Sequence, residues 1–271
     1  MIMLTSYNLK KMIWSKLQPV TYKPANKKDV VSDLFVWLNS PERKTYFDLI
    51  SIYSLFCPSK SNTLSNFTVR FVFFDNDGKK FAEEKISINS LQKKTIDLSV
   101  FLSKSSASFG TFAVFHENIP NIFLETNSYL SERGYVSYSS KKDNLRHYVH
   151  GNFDAISINS SGNLKMLGGL SLFKRQYKLQ CLIDSDAKFS LALTNPSPLK
   201  QRISFSLIDS QTREIMNRES FLIASCGCII FSPKINNCGS SFLVIESHLV
   251  MARPVVFKEY VTTGNVDIFH G

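Results

Sequence analysis

From Asp33 onward the chain is cut into short runs of β-branched and aromatic residues separated by turn chemistry, a pattern that leaves room for little besides strands. In the first half these runs are Asp33 to Leu38, Tyr46 to Phe56, Phe67 to Phe74, Lys85 to Ile88, Thr95 to Val100 and Gly110 to Phe115. The 22 Phe and 10 Tyr reinforce the reading, because such side chains suit a pleated, half-buried surface. Asn76-Asp77-Gly78 is the clearest hairpin turn, since these residues tolerate the positive φ that tight hairpins demand. A short amphipathic helix is expected only in NLKKMIWSKL, where Leu9, Met12, Ile13 and Leu17 recur at near-helical spacing before Pro19 and Pro24.

The second half repeats the order. Lys178 to Ile183, Lys188 to Thr194, Arg202 to Ile208, Glu219 to Ala224, Cys228 to Phe231 and Ser241 to Glu246 read as strands, with Asn195-Pro196-Ser197-Pro198 as a loop. Phe71 to Asp75 matches Phe205 to Asp209, an apolar strand that ends in Asp before a turn. Glu132 to Val136 matches Ala252 to Val256, and His147 to Gly151 matches Asp267 to Gly271. The spacing is equal: His150 follows Arg133 by 17 residues, and His270 follows Arg253 by 17. The first copy carries about fourteen extra residues, placed most simply around Glu117 to Ser128. The chain is therefore expected to be all-β, with two duplicated antiparallel β-sandwich modules behind a short helical and basic N-terminal arm. The expected boundaries are 1–28 for the arm, 29–151 and 170–271 for the modules, and 152–169 for the connector, in which Phe153 to Ile158 is a further candidate strand.

The stretch LALTNPSPLKQRISFSLIDSQTREI runs strand, Asn-Pro turn, strand ending in Asp, polar turn, and the apolar FLIASCGCIIF follows. This pattern resembles the immunoglobulin-like and fibronectin type III-like β-sandwich modules, over about 80 residues in each half. The resemblance implies binding and scaffolding more than catalysis, and a jelly roll is a second architecture compatible with the strands.

Net charge is +10, and Lys10, Lys11, Lys16, Lys23, Lys27 and Lys28 face only Asp29 within the first thirty residues. Such an arm attracts polyanions: nucleic acid, anionic lipid or an acidic polysaccharide; it equally serves as a solvated lead-in. Met1 to Pro24 has no signal-peptide core, and no apolar run reaches the eighteen residues of a membrane helix. With five cysteines and no export signal, reduced thiols in a cytoplasm are expected rather than disulfides.

The sharpest constellation is Arg133, His147 and His150 with Arg253 and His270. Modules packed about a pseudo-twofold axis would bring these residues into a cationic pocket for a carboxylate, sulfate or phosphate. The structural alternative is that Arg starts a strand and His-Gly closes one, repeated because the framework is repeated. Cys226, Cys228, Cys238 and His248 match no common zinc spacing, and no metal or cofactor is expected. Nucleophile elbows and phosphate-cradling loops are absent, and Glu83, Glu84, Asp184, Asp186 and Glu246 are the carboxylates that a glycosidase would draw on. The leading expectation is a non-catalytic binding or assembly protein for an anionic glycan, a surface, a protein partner or a further copy of itself. The alternatives are an enzyme with an inter-module His/Arg site, and a viral or phage structural protein.

Overall fold

The computed structural model describes residues 29–51, 66–117, 131–132, 134–141, 145–234, 240–250 and 253–271. The arm with its six lysines, Arg133, Cys57, Cys238 and nearly all of the insertion expected around Glu117 to Ser128 lie outside the described residues. Strand makes up 64% and helix 2% of the structure, so the chain is all-β as its composition implies. The first half contains β1 (Val30–Leu38), β2 (Arg43–Ile50), β3 (Asn66–Asp75), β4 (Lys80–Asn89), β5 (Lys93–Asp97), helix α1 (Ser99–Leu102), β6 (Phe109–His116), β7 (Ser131–Glu132), β8 (Tyr135–Ser140) and β9 (Arg146–Val149). There follow β10 (Asn152–Ile158), β11 (Leu164–Met166), β12 (Leu170–Lys178), β13 (Ala187–Thr194), β14 (Gln201–Asp209), β15 (Ile215–Ile223), β16 (Cys228–Phe231), β17 (Ser241–Leu249), β18 (Val255–Tyr260) and β19 (Val266–His270).

These strands form four small sheets in a four-bladed, propeller-like arrangement. Their orders are β11-β10-β1-β6-β3-β4, β5-β2-β8-β9, β12-β17-β14-β15 and β16-β13-β18-β19; all pairings are antiparallel except that of β7 with β1. The orders correspond across the halves: β1-β6-β3-β4 with β12-β17-β14-β15, and β5-β2-β8-β9 with β16-β13-β18-β19. Register corresponds as well. The β3–β4 hairpin shifts between Phe73 and Phe74, and the β14–β15 hairpin between Leu207 and Ile208. Val136 pairs with Val149, and Val256 with Phe269, at the offset of 120 residues that also separates His150 from His270.

Two self-contained sandwiches are not what these sheets build. The sheet β16-β13-β18-β19 is buried on both faces, because alternate residues of a strand point to opposite sides. Leu191, Leu193 and Val256 join Ile203, Phe205, Leu243 and Ile245 in one core. Ala192, Val255, Phe257, Val266 and Ile268 instead join the core of the first half, around Phe35, Trp37, Phe47 and Tyr138. The Tyr138 and Phe257 rings meet edge to face at 5.1 Å across this seam. β3 is also buried on both sides, Phe71 and Phe73 in the first core and Val72 and Phe74 in a third cluster, and so its sequence reads as an unbroken apolar run.

Other local expectations shift for identifiable reasons. The expected connector 152–169 is largely sheet: β10 extends the first sheet beside β1, and β11 pairs with β10. The run expected at Lys178 to Ile183 lies earlier, as β12, whose pairing with β17 slips between Leu170 and Arg175. That bulge leaves Leu172 and Phe173 68% and 56% exposed, which erases the alternation that would have marked a strand. The run Thr95 to Val100 stops at Asp97, whose carboxylate accepts the Ser99 amide at 2.9 Å where α1 begins. No helix among the described residues is long and apolar enough to cross a membrane.

The Asn76-Asp77-Gly78 turn has a second task beyond closing a hairpin. It docks on the turn before β16: the Cys228 amide donates to the Asn76 carbonyl at 3.1 Å, and Thr111 Oγ1 donates to the Cys226 carbonyl. Gly78 sits at φ +76° with the Ser225 carbonyl oxygen where a Cβ would project and the Gly227 nitrogen 2.9 Å from it. Gly78→Ala is therefore expected to destabilise the protein by about 1–3 kcal/mol in urea unfolding, whereas Lys79→Ala beside it changes stability by no more than about 0.5 kcal/mol.

Candidate functional site at the junction of the two halves

The two His-Gly ends converge. His150 directly follows β9 and His270 ends β19, and their rings stack with centroids 5.9 Å apart and planes 8° from parallel. His270 Nε2 lies 2.9 Å from the His150 carbonyl oxygen. A carbonyl only accepts, so Nε2 carries the proton of this hydrogen bond. Asn152 Nδ2, just beyond the first His-Gly, donates to Thr194 Oγ1 of the second half and ties the same seam.

Burial is the main reason that His270 resists protonation, and the nearby Arg253 guanidinium and His150 ring add like-charge repulsion. The His150 carbonyl and the nearby Pro254 carbonyl, both of which favour the protonated ring, offset this only partly, so its pKa falls below the ordinary imidazole value of 6.5. The glycines have a packing cause. A Cβ on Gly151 would come 2.6 Å from Asp33 Cβ and 2.9 Å from Phe35 Cδ1. One on Gly271 would strike Leu179 and come 2.9 Å from Val256 Cγ2. Each His-Gly thus ends on a glycine because the chain there presses against its own half.

His150, His270 and Arg253, with Asn152, Thr194 and apolar neighbours, surround a cavity of only about 10 Å³. That is room for about one water molecule at most. His147, half-buried on β9 opposite Tyr138, is not part of this lining, and Arg133 lies outside the described residues. Asn152 and Thr194 escape a sequence reading, although Asn152 directly follows the His-Gly pair that the spacing singles out.

The other candidate groups are committed elsewhere. Burial pushes the Cys226 thiol up to about 11 and the Cys228 thiol higher still, and Cys226 Sγ lies 3.1 Å from Met166 Sδ. His248 Nδ1 is 3.0 Å from the Ser171 carbonyl, and among the described residues no three His, Cys, Asp or Glu side chains are grouped to hold a metal ion. Glu83 pairs with Lys80 and Arg70, Glu84 with Lys104, and Glu246 with Arg218. The Lys80 hydrogen bond, against the opposing effect of burial, holds Glu83 below the usual carboxylate range, the reverse of what a general acid requires.

No protein-family model matches the chain, and no curated protein matches it. Among solved structures, a β-glucuronidase from glycoside hydrolase family 2 is 10% identical, over 91% of this chain and 26% of that one, with a TM-score of 0.14. The chain spans about a quarter of that enzyme's length, and a likeness of this degree fixes neither fold nor activity.

The seam has a pH consequence. A histidine whose folded pKa is depressed contributes stability that is present above its unfolded value of 6.5 and is lost as pH falls below it toward the folded pKa. Chemical unfolding across this range should show the protein weakening on acidification below pH 6.5, with a shallower slope in His270→Gln.

Proposed function

We propose that this chain is a non-catalytic binding or assembly protein, in which the His150, His270 and Arg253 cluster is a joint between two related halves rather than a reaction centre. The observation that carries this reading is the volume at the joint. A cavity of about 10 Å³ is far below the roughly 300–1,000 Å³ of small-molecule sites. Two polar groups there are spent on the seam, His270 Nε2 on the His150 carbonyl and Asn152 on Thr194, while the buried His270 Nδ1 has no hydrogen-bond partner among the described residues. A net charge of +10 favours an anionic partner, a glycan or another polyanion, over an acidic surface's natural counterparts.

The matching strand orders support a duplication. Immunoglobulin-like folds place the second strand beside the fifth and the third beside the sixth, but also the first beside the second and the fourth beside the fifth, where β1 here lies beside β6 and β4 beside β3. Here β2 lies beside β5 and β3 beside β6, and in the second half β13 lies beside β16 and β14 beside β17. Such scaffolds present partners with a rigid surface.

The stacking of the two imidazoles beside a guanidinium favours one rival, an enzyme that opens at this joint to admit an anionic substrate. His150→Gln and His270→Gln separate the two. As a joint, His270→Gln should cost about 1–3 kcal/mol in thermal unfolding. Both variants should keep the parent's association with a panel of sulfated glycans, inorganic phosphate and divalent metal ions. Unchanged melting with lost association would replace the joint by a ligand site.

A further inference from the structure

A second concavity lies where the docked Asn76–Gly78 turn meets the second half. It is open to solvent and holds about 630 Å³, within the size range of small-molecule sites and at the kind of boundary between folded units where such sites concentrate. Its apolar lining comes from both halves. Phe109 and Ile230 pack against the rim of the first core, Phe221 against that of the second, so both cores reach the surface in one cleft. Leu222 stands in the lining 59% exposed, a large aliphatic side chain that the fold itself leaves uncovered.

The charge in the cleft is asymmetric. Lys79 from the first half and Lys200 from the second are both exposed, and neither is engaged in an ion pair among the described residues. The one acidic side chain in the lining is Asp77, which accepts the Asn76 amide at 3.4 Å. The surplus of positive charge beside an apolar floor matches a molecule that has one anionic end and one apolar body.

We infer that this cleft binds a small amphipathic anion, an alkyl carboxylate whose tail covers Phe109, Phe221, Leu222 and Ile230 and whose head is held by Lys79 and Lys200. The inference rests on the reading of the chain as a binding protein and gives that reading a ligand class. It uses none of the groups at the histidine joint, because the two linings share no residue.

The test is calorimetric titration of the full chain with dodecanoate below its micellar concentration, with dodecyltrimethylammonium as the probe that keeps the tail and reverses the head. Saturable binding of dodecanoate alone is expected. The double variant Lys79→Glu/Lys200→Glu and the single variant Leu222→Asp should each weaken it about tenfold or more, the loss of roughly one charged hydrogen bond or a comparable apolar contact. Lys94→Glu on β5, outside the lining, should leave it unchanged. All three variants change exposed side chains, and their circular dichroism spectra and melting curves verify that they are folded. Failure of dodecanoate to bind, equal binding of both probes, or full affinity in the cleft variants would overturn the inference. None of those results bears on the His150→Gln and His270→Gln comparison, so the ligand class and the non-catalytic reading fall separately.

Discussion

The burial of the sheet β16-β13-β18-β19 on both faces is the constraint from which the rest of the molecule follows. A sheet with one wet face ends a domain, but this one cannot, since Val255 and Phe257 face one core while Val256 between them faces another. Exposing either face would uncover apolar side chains worth about 1.5–3 kcal/mol each. The halves are thereby held as a single body, and the smaller contacts, the Asn76–Gly78 turn against Ser225 and the imidazole stack, add position to an association that hydrophobic burial already drives.

Sequence exposes the parts of this design that are local. Hairpins are set by their own turn chemistry, so Phe71 to Asp75 and Phe205 to Asp209 can be aligned by eye, down to the equal positions of their register shifts. The equal spacing from Arg133 to His150 and from Arg253 to His270 likewise points to the residues that meet at the seam, although Arg133 lies outside the described residues. What it cannot expose is the partner of each outward face. Period-two patterning says that Val255 and Val256 point apart, and it is silent on whether the second side meets water or another core. Independent sandwiches were the natural inference from alternation alone, and tertiary packing decides otherwise. Cysteines two apart would share one face of a strand, but Cys226 is in a turn at φ +60°, so the Cys226 and Cys228 thiols do not.

The chemistry at the seam shows how a repeated framework residue acquires a different environment in each copy. His150 is exposed while His270 is half-buried, and the His270 ring donates across the junction to the His150 backbone. Their glycines have parallel duties, each pressed against the nearest side chains of its own half. Identity of spacing therefore records a common local geometry, whereas the difference in burial records which copy lies on the inner side of the joint.

The bulge in β12 bears on a property of the surface rather than of the core. An uninterrupted outer strand next to β17 would offer a straight row of amides and carbonyls, to which the strand of any other chain could add itself. Between Leu170 and Arg175 that row is broken, and Lys174 and Arg175 bring charge to the place where it resumes. Along this border an added strand therefore meets no continuous ladder, and the uncovered Leu172 and Phe173 fall within the break.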